Sequence, residues 1–236
     1  AIRRLSRMHP QRRLRERAQL IDELRAAISR CVRSQLRQKL AALDDADSER
    51  QDQRAERTDK AIENHEEAVS LCNDLIARGV EFRGNAAATH INLAGLLAGA
   101  GNFERAKQIN QRAIDLAEEL IADGKDVTHA RNLAFGANQN FAVIAARGQD
   151  YASAERAMNR AMELVADLEA QPETRAIHAQ AAQGCQQLSV IYFHAKMYDE
   201  ALHWGRKAEE LSEKAYKALG DQALPIYVTS QINLIS

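Results

Sequence analysis

Residues 92–113 read NLAGLLAGAGNFERAKQINQRA, and the pattern returns as NFAVIAARGQDYASAERAMNRA at 140–161 and QLSVIYFHAKMYDEALHWGRKA at 187–208. Each copy opens on a side-chain amide (Asn92, Asn140, Gln187), then a large apolar residue and a small one. An aromatic stands eleven residues after the amide: Phe103, Tyr151, Tyr198. Three residues later comes an alanine (Ala106, Ala154, Ala201), and seven beyond that a second (Ala113, Ala161, Ala208). The period is 48 and then 47 residues. Self-similarity at such a period marks an array of supersecondary units, each needing its neighbours to bury its apolar face.

Composition decides what the units are made of. The 236 residues include 43 alanines and only 3 prolines, so residues 11–171 run without one. Alanine is the best helix former and proline the worst, so an all-α fold is expected. Aromatics at 5% are too few for a β-sandwich, and 45% hydrophobic with 28% charged is a globular composition. Turn signals fall within each copy at Gly99-Ala100-Gly101-Asn102, Arg147-Gly148-Gln149-Asp150 and Lys196-Met197. Others fall between copies at Ala122-Asp123-Gly124-Lys125, Gln171-Pro172-Glu173 and Gly220-Asp221. Glycine past a helix end, followed by Asp, Asn or Pro, reads as one helix stopping and the next starting. The unit is therefore helix–turn–helix.

The pattern resembles the tetratricopeptide repeat. The matching residues are Leu93-Ala94, Gly101, Phe103, Ala106 and Ala113; Phe141-Ala142, Gly148, Tyr151, Ala154 and Ala161; and Leu188-Ser189, Tyr192, Tyr198, Ala201 and Ala208. The resemblance implies a right-handed superhelical solenoid of antiparallel hairpins, with alanines allowing close helix approach and the aromatic capping the turn. This chain departs from the family in two ways. Its unit is near 47 residues rather than the usual ~34. The aromatic expected two residues before the amide is replaced by His90, Asn138, Cys185 and Gln231.

The register runs on in both directions. Ser230-Gln231-Ile232-Asn233-Leu234 echoes Thr89-His90-Ile91-Asn92-Leu93, and the sequence stops at Ser236 inside that helix, so the array is expected to continue. Upstream, Ala61 and Ala68 repeat the alanine pair on a helix expected from about 47 to 79. Residues 11–43 carry Leu14, Ala18, Ile21, Leu24, Ile28, Val32, Leu36, Leu40 and Leu43 at helical spacing. The expected organisation is an N-terminal long hairpin over 1–80 with a basic first helix, then repeats over 81–124, 125–171 and 172–220 and a partial one over 221–236.

The net charge of −1 conceals an uneven distribution. Residues 1–40 hold 12 Lys/Arg against 3 Asp/Glu, whereas 41–75 hold 4 against 11. The basic helix is expected to pack on its acidic neighbour, with an acidic partner as the alternative occupant of residues 1–40. Nucleic acid is disfavoured, because no Phe, Tyr or Trp precedes Phe82 to stack on bases. No apolar run is long enough to span a bilayer, so no membrane partner is expected. The scattered Cys31, Cys72 and Cys185 suggest a reducing, cytoplasmic location.

No catalytic constellation, zinc-ligand spacing or phosphate-binding glycine loop appears, so no catalytic residue, metal or cofactor is expected. Cys185 and His194 lie nine residues apart on one helix, about 13 Å by helical rise and too far to form a nucleophile–base pair. Gly95 and Gly99 form a GxxxG pair, read as close helix packing.

The candidate binding residues are Asn92, Asn140, Gln187 and Asn233. A side-chain amide is both donor and acceptor and can bracket a peptide unit. In the family resembled, an asparagine before the large–small pair does such work on the concave face. Arg147 and His194, seven residues after their amides, could fix a carboxylate. The lysine and asparagine of the family's carboxylate clamp are not reproduced, with Ile91 and Gly95 in their places. The expected function is a non-enzymatic scaffold binding a protein or extended peptide, the alternative a regulatory or oligomerisation arm of a larger protein.

Overall fold

The computed structural model describes residues 48–124, 126–169, 176–226 and 228–229, with side chains from residue 55. The basic segment 1–47, the Gln171-Pro172-Glu173 turn and the echo at 230–236, with Gln231 and Asn233, lie outside the described residues. Among the described residues there are seven α-helices and no strand. They are α1 (Ser48–Ala77), α2 (Arg83–Gly99), α3 (Phe103–Ala122), α4 (Val127–Arg147), α5 (Tyr151–Leu168), α6 (Ile177–His194) and α7 (Tyr198–Leu219). A 3-10 turn, Gly220–Ala223, follows.

Helices pair as α2–α3, α4–α5 and α6–α7, and α3 packs broadly on α4. Each second helix begins on the repeated aromatic. The turn ahead of it is the same structure three times. Gly101, Gln149 and Lys196 all have positive φ, at 81°, 64° and 62°. The next amide reaches back to the preceding helix each time: Asn102 N to Leu97 O at 2.9 Å, Asp150 N to Ala145 O at 2.8 Å, Met197 N to Tyr192 O at 2.9 Å. A left-handed residue of this kind lets the chain reverse while the last carbonyls stay bonded.

The alanine spacing is a packing requirement. Ala106, Ala113, Ala154, Ala161, Ala201 and Ala208 are all buried, as are Ala61 and Ala68 on α1. Leu116, Leu164 and Leu211 add a buried leucine to each second helix in the same frame. Truncating any of them to alanine costs about 2–5 kcal/mol. At the small position of the third copy, Ser189 donates its hydroxyl to Ala201 O at 2.8 Å.

The aromatics reach forward to the next hairpin. A Cβ on Gly148 would stand 3.1 Å from the Phe103 Cβ, and the Tyr151 and Tyr192 rings lie 5.4 Å apart. Tyr198 has no described hairpin ahead of it and is 59% exposed, beside Phe193 at 5.7 Å. Further ties between successive hairpins are Trp204 Nε1 to Glu155 Oε1 at 2.8 Å and Lys107 Nζ to Asp150 Oδ2 at 3.1 Å.

The polar residues in the aromatic's usual place are buried without strain. His90 bonds Ala86 O at 2.7 Å and Asn138 donates to Ala134 O at 2.8 Å, each four residues back on its own helix. Cys185 is buried among apolar side chains, which pushes its thiol up to about 12. A thiol held protonated is a poor nucleophile. One expectation is corrected: Gly95 and Gly99 are exposed, and a Cβ on either would meet nothing within 4 Å, so the GxxxG pair makes no close helix contact. The close approach is at Gly184, where a Cβ would stand 2.6 Å from the Gln139 side chain.

Candidate functional site

The first helices of the hairpins form a layer of their own. α2 touches α4 and α4 touches α6, whereas α3, α5 and α7 make at most marginal contact with one another. Each first helix buries its alanine-rich side and turns one stripe outward. On α2 the stripe carries Asn85 and Asn92; on α4, His129, Asn132 and Arg147; on α6, Gln180, Gln183, Gln187 and His194. Spacings of three, four or seven on α2 and α6, and of three and eighteen from His129 on α4, put them on one face of each helix. The sequence reading found Asn92 and Gln187 but passed over Asn85, Asn132, Gln180 and Gln183. The signal for these was helical spacing back from each repeated amide.

Asn92 and Gln187 are both exposed. Asn140 stands at the equivalent position and is half-buried. Its Nδ2 donates to Asn110 Oδ1 at 2.8 Å and to Ile91 O at 3.3 Å. Both amide hydrogens are thus engaged inside the protein, and Asn140 offers a ligand only its oxygen. The bond to Ile91 sets this amide within one residue of Asn92 in the chain. The partner, Asn110, is fully buried on α3 and donates its own Nδ2 to Ala137 O at 2.7 Å. Three helices meet at this pair of asparagines. The sequence reading missed Asn110; the sign available was a polar residue four after Ala106, midway between two alanines that had to be buried.

Arg147 and His194 end α4 and α6, and both are exposed. The His194 ring meets Phe193 edge-on, with centroids 6.1 Å apart. Arg131 on α4 lies 3.6 Å from Asp167, and Arg83 on α2 bonds Glu81 and Asp123. Those carboxylates hold the Arg83 guanidinium firmly in its charged form.

Two buried polar atoms in this region, Gln139 Oε1 and the Tyr192 hydroxyl, have no hydrogen-bond partner of standard geometry among the described residues. Burial first, then its interaction with the Glu155 carboxylate, push the pKa of the hydroxyl up. Among the described residues no group of three or more His, Cys, Asp or Glu is placed to hold a metal ion. Among them, too, no helix is long and apolar enough to cross a membrane. No protein-family model matches this chain, and neither does any curated protein.

Proposed function

We propose that the chain is a tetratricopeptide-like scaffold whose first-helix layer binds an extended peptide or protein segment. The observation that carries this reading is the exposed amide stripe on α2, α4 and α6, with Asn92 and Gln187 at its repeated positions. In a curved array the helices that touch their own equivalents lie on the inside of the curve, which supports α2, α4 and α6 as the concave layer of a right-handed superhelix. An amide on a concave surface can give and take a hydrogen bond with one peptide unit, and spacing such groups along a groove fixes an extended backbone. Arg147 and His194 flank the stripe and select side chains. Asn140 serves the seam between hairpins and presents only its oxygen. The role is reversible recognition, with no chemical step, in a reducing compartment such as the cytoplasm, in keeping with the free thiols of Cys72 and Cys185.

Selection from a displayed library of random dodecapeptides tests this reading. Recovered peptides should bind the wild type and lose roughly tenfold or more in affinity, about 1.4 kcal/mol, to an Asn92→Ala/Gln187→Ala variant with an unchanged melting temperature. Recovery of no peptide, or of peptides indifferent to the substitutions, would exclude the amide stripe as the binding element.

A second reading, the oligomerisation arm, is favoured by one observation: Phe193, Tyr198 and Leu202 are exposed by 55%, 59% and 45% in one neighbourhood. Light scattering across a concentration series separates it, since assembly through this end would be abolished by Tyr198→Ser.

A further inference from the structure

Charge is divided unequally between the two layers of helices. α2, α4 and α6 contain no Asp or Glu, whereas α3 carries four, α5 three and α7 five. The second-helix carboxylates largely have cations beside them, as in Arg160 with Glu118 and Glu163, Lys207 with Glu210 and Arg112 with Glu119. On the first helices Arg83 and Arg131 are engaged with carboxylates from elsewhere. Arg147 is different. It is exposed, and among the described residues it has no ion-pair partner; His194 holds the same place 47 residues on.

The stripe therefore contains hydrogen-bonding amides, one unpaired guanidinium and the exposed imidazoles of His129 and His194, with no negative side chain on its helices to repel an anion. A basic ligand would find no countercharge there. A neutral one would gain only the amide contacts. A carboxylate gains a charge-assisted, geometrically matched bond from the Arg147 guanidinium, roughly twice as strong as a neutral one.

Resting on the peptide-binding reading, we propose that the segment bound by the first-helix layer is acidic: Asn92 and Gln187 hold its backbone while Arg147 and His194 receive its carboxylates. Lone charges on a flat surface contribute little, but carboxylate-binding groups at one position of successive units, the Arg147 guanidinium on α4 and the His194 imidazole on α6, set both register and direction for a ligand carrying acids at matching intervals.

Fluorescence anisotropy with three labelled dodecapeptides, built of repeated Glu-Gly-Ser, Gln-Gly-Ser or Lys-Gly-Ser, tests the proposal on the full chain. The Glu peptide should bind about tenfold tighter than the Gln peptide at low salt, with the Lys peptide weakest, and the margin should shrink as ionic strength passes ~0.15 M. Arg147→Gln should lower Glu-peptide affinity roughly three- to tenfold and leave Gln-peptide affinity unchanged, while His194→Arg should raise the former. Equal affinity for the Glu and Gln peptides overturns the acidic preference and leaves peptide binding standing. Glu-peptide binding untouched by Asn92→Ala/Gln187→Ala overturns the amide stripe itself. Failure of all three peptides to bind overturns both.

Discussion

Asn140 Nδ2 donates to Asn110 Oδ1 at 2.8 Å, joining two helices of successive hairpins through a pair of side-chain amides. Asn110 in turn bonds Ala137 O, and Asn140 also reaches Ile91 O. Removing either amide leaves a buried polar group without its partner. Asn110→Ala and Asn140→Ala should each destabilise the protein by about 1–3 kcal/mol. The double variant should lose less than the sum, with a coupling of about 0.5–3 kcal/mol. Urea unfolding of the four proteins measures this, and simple additivity would show that the two amides do not act together.

The repeated turn predicts stabilising substitutions. Gln149 and Lys196 occupy a left-handed conformation that the first copy assigns to Gly101. A side chain there crowds its own carbonyl, a cost of about 1–2 kcal/mol that glycine avoids, partly offset by the extra freedom of glycine in the unfolded chain. Gln149→Gly and Lys196→Gly should therefore each raise stability by about 0.5–1 kcal/mol. Gly101→Ala should lower it by a similar amount. Thermal melts of the three variants should show these opposite signs.

Packing gives a second contrast of sign. Ala154 is fully buried where α4 and α5 meet their neighbours, so Ala154→Leu should overpack that contact and cost about 1–3 kcal/mol. Gly95 lies inside α2 with nothing within 4 Å of an added Cβ, so Gly95→Ala should stabilise by about 0.5–1 kcal/mol. A Gly95→Ala variant less stable than wild type would restore the close-packing role that its sequence context suggested.

Acid should weaken the N-terminal half of the array. Burial lowers the pKa of His65 and of His90, against the opposing effect of their bonds to Ala61 O and Ala86 O; Arg112 adds to the lowering at His90. A histidine whose folded pKa lies below its unfolded value contributes its full stability above about pH 6.5 and loses it as the pH falls through the folded value. The denaturation midpoint should therefore decline from about pH 6.5 downward, ahead of the carboxylates. His90→Asn should flatten that decline, because Asn138 already makes the corresponding bond to Ala134 O without titrating. A pH series of urea midpoints that left the slope unchanged in this variant would clear His90 of the effect.

Much of the architecture could be read from spacing. The paired alanines, the aromatics opening α3, α5 and α7, and the burial of Cys185 were all legible, because helical period and residue size constrain them within one hairpin. The left-handed turns were legible at Gly101 but not at Gln149 or Lys196, where no glycine advertised the conformation. Gly95 and Gly99 misled because a small residue permits close approach without requiring it. Asn85, Gln180 and Gln183 were overlooked for the opposite reason: an exposed amide has no packing signature until the face it shares is known.

By itself the sequence determined the repeating helix–turn–helix unit, its period and the small residues of its core, since these follow from backbone geometry and local steric size. Only the tertiary structure decided which amides of the repeat stay available. Asn92 and Gln187 remain exposed, while Asn140 at the same register position is drawn into a bond with Asn110, thirty residues away in the chain and adjacent only after α3 and α4 have packed. Identical places in a repeat acquire different chemistry because hydrogen bonding depends on what the fold sets opposite them.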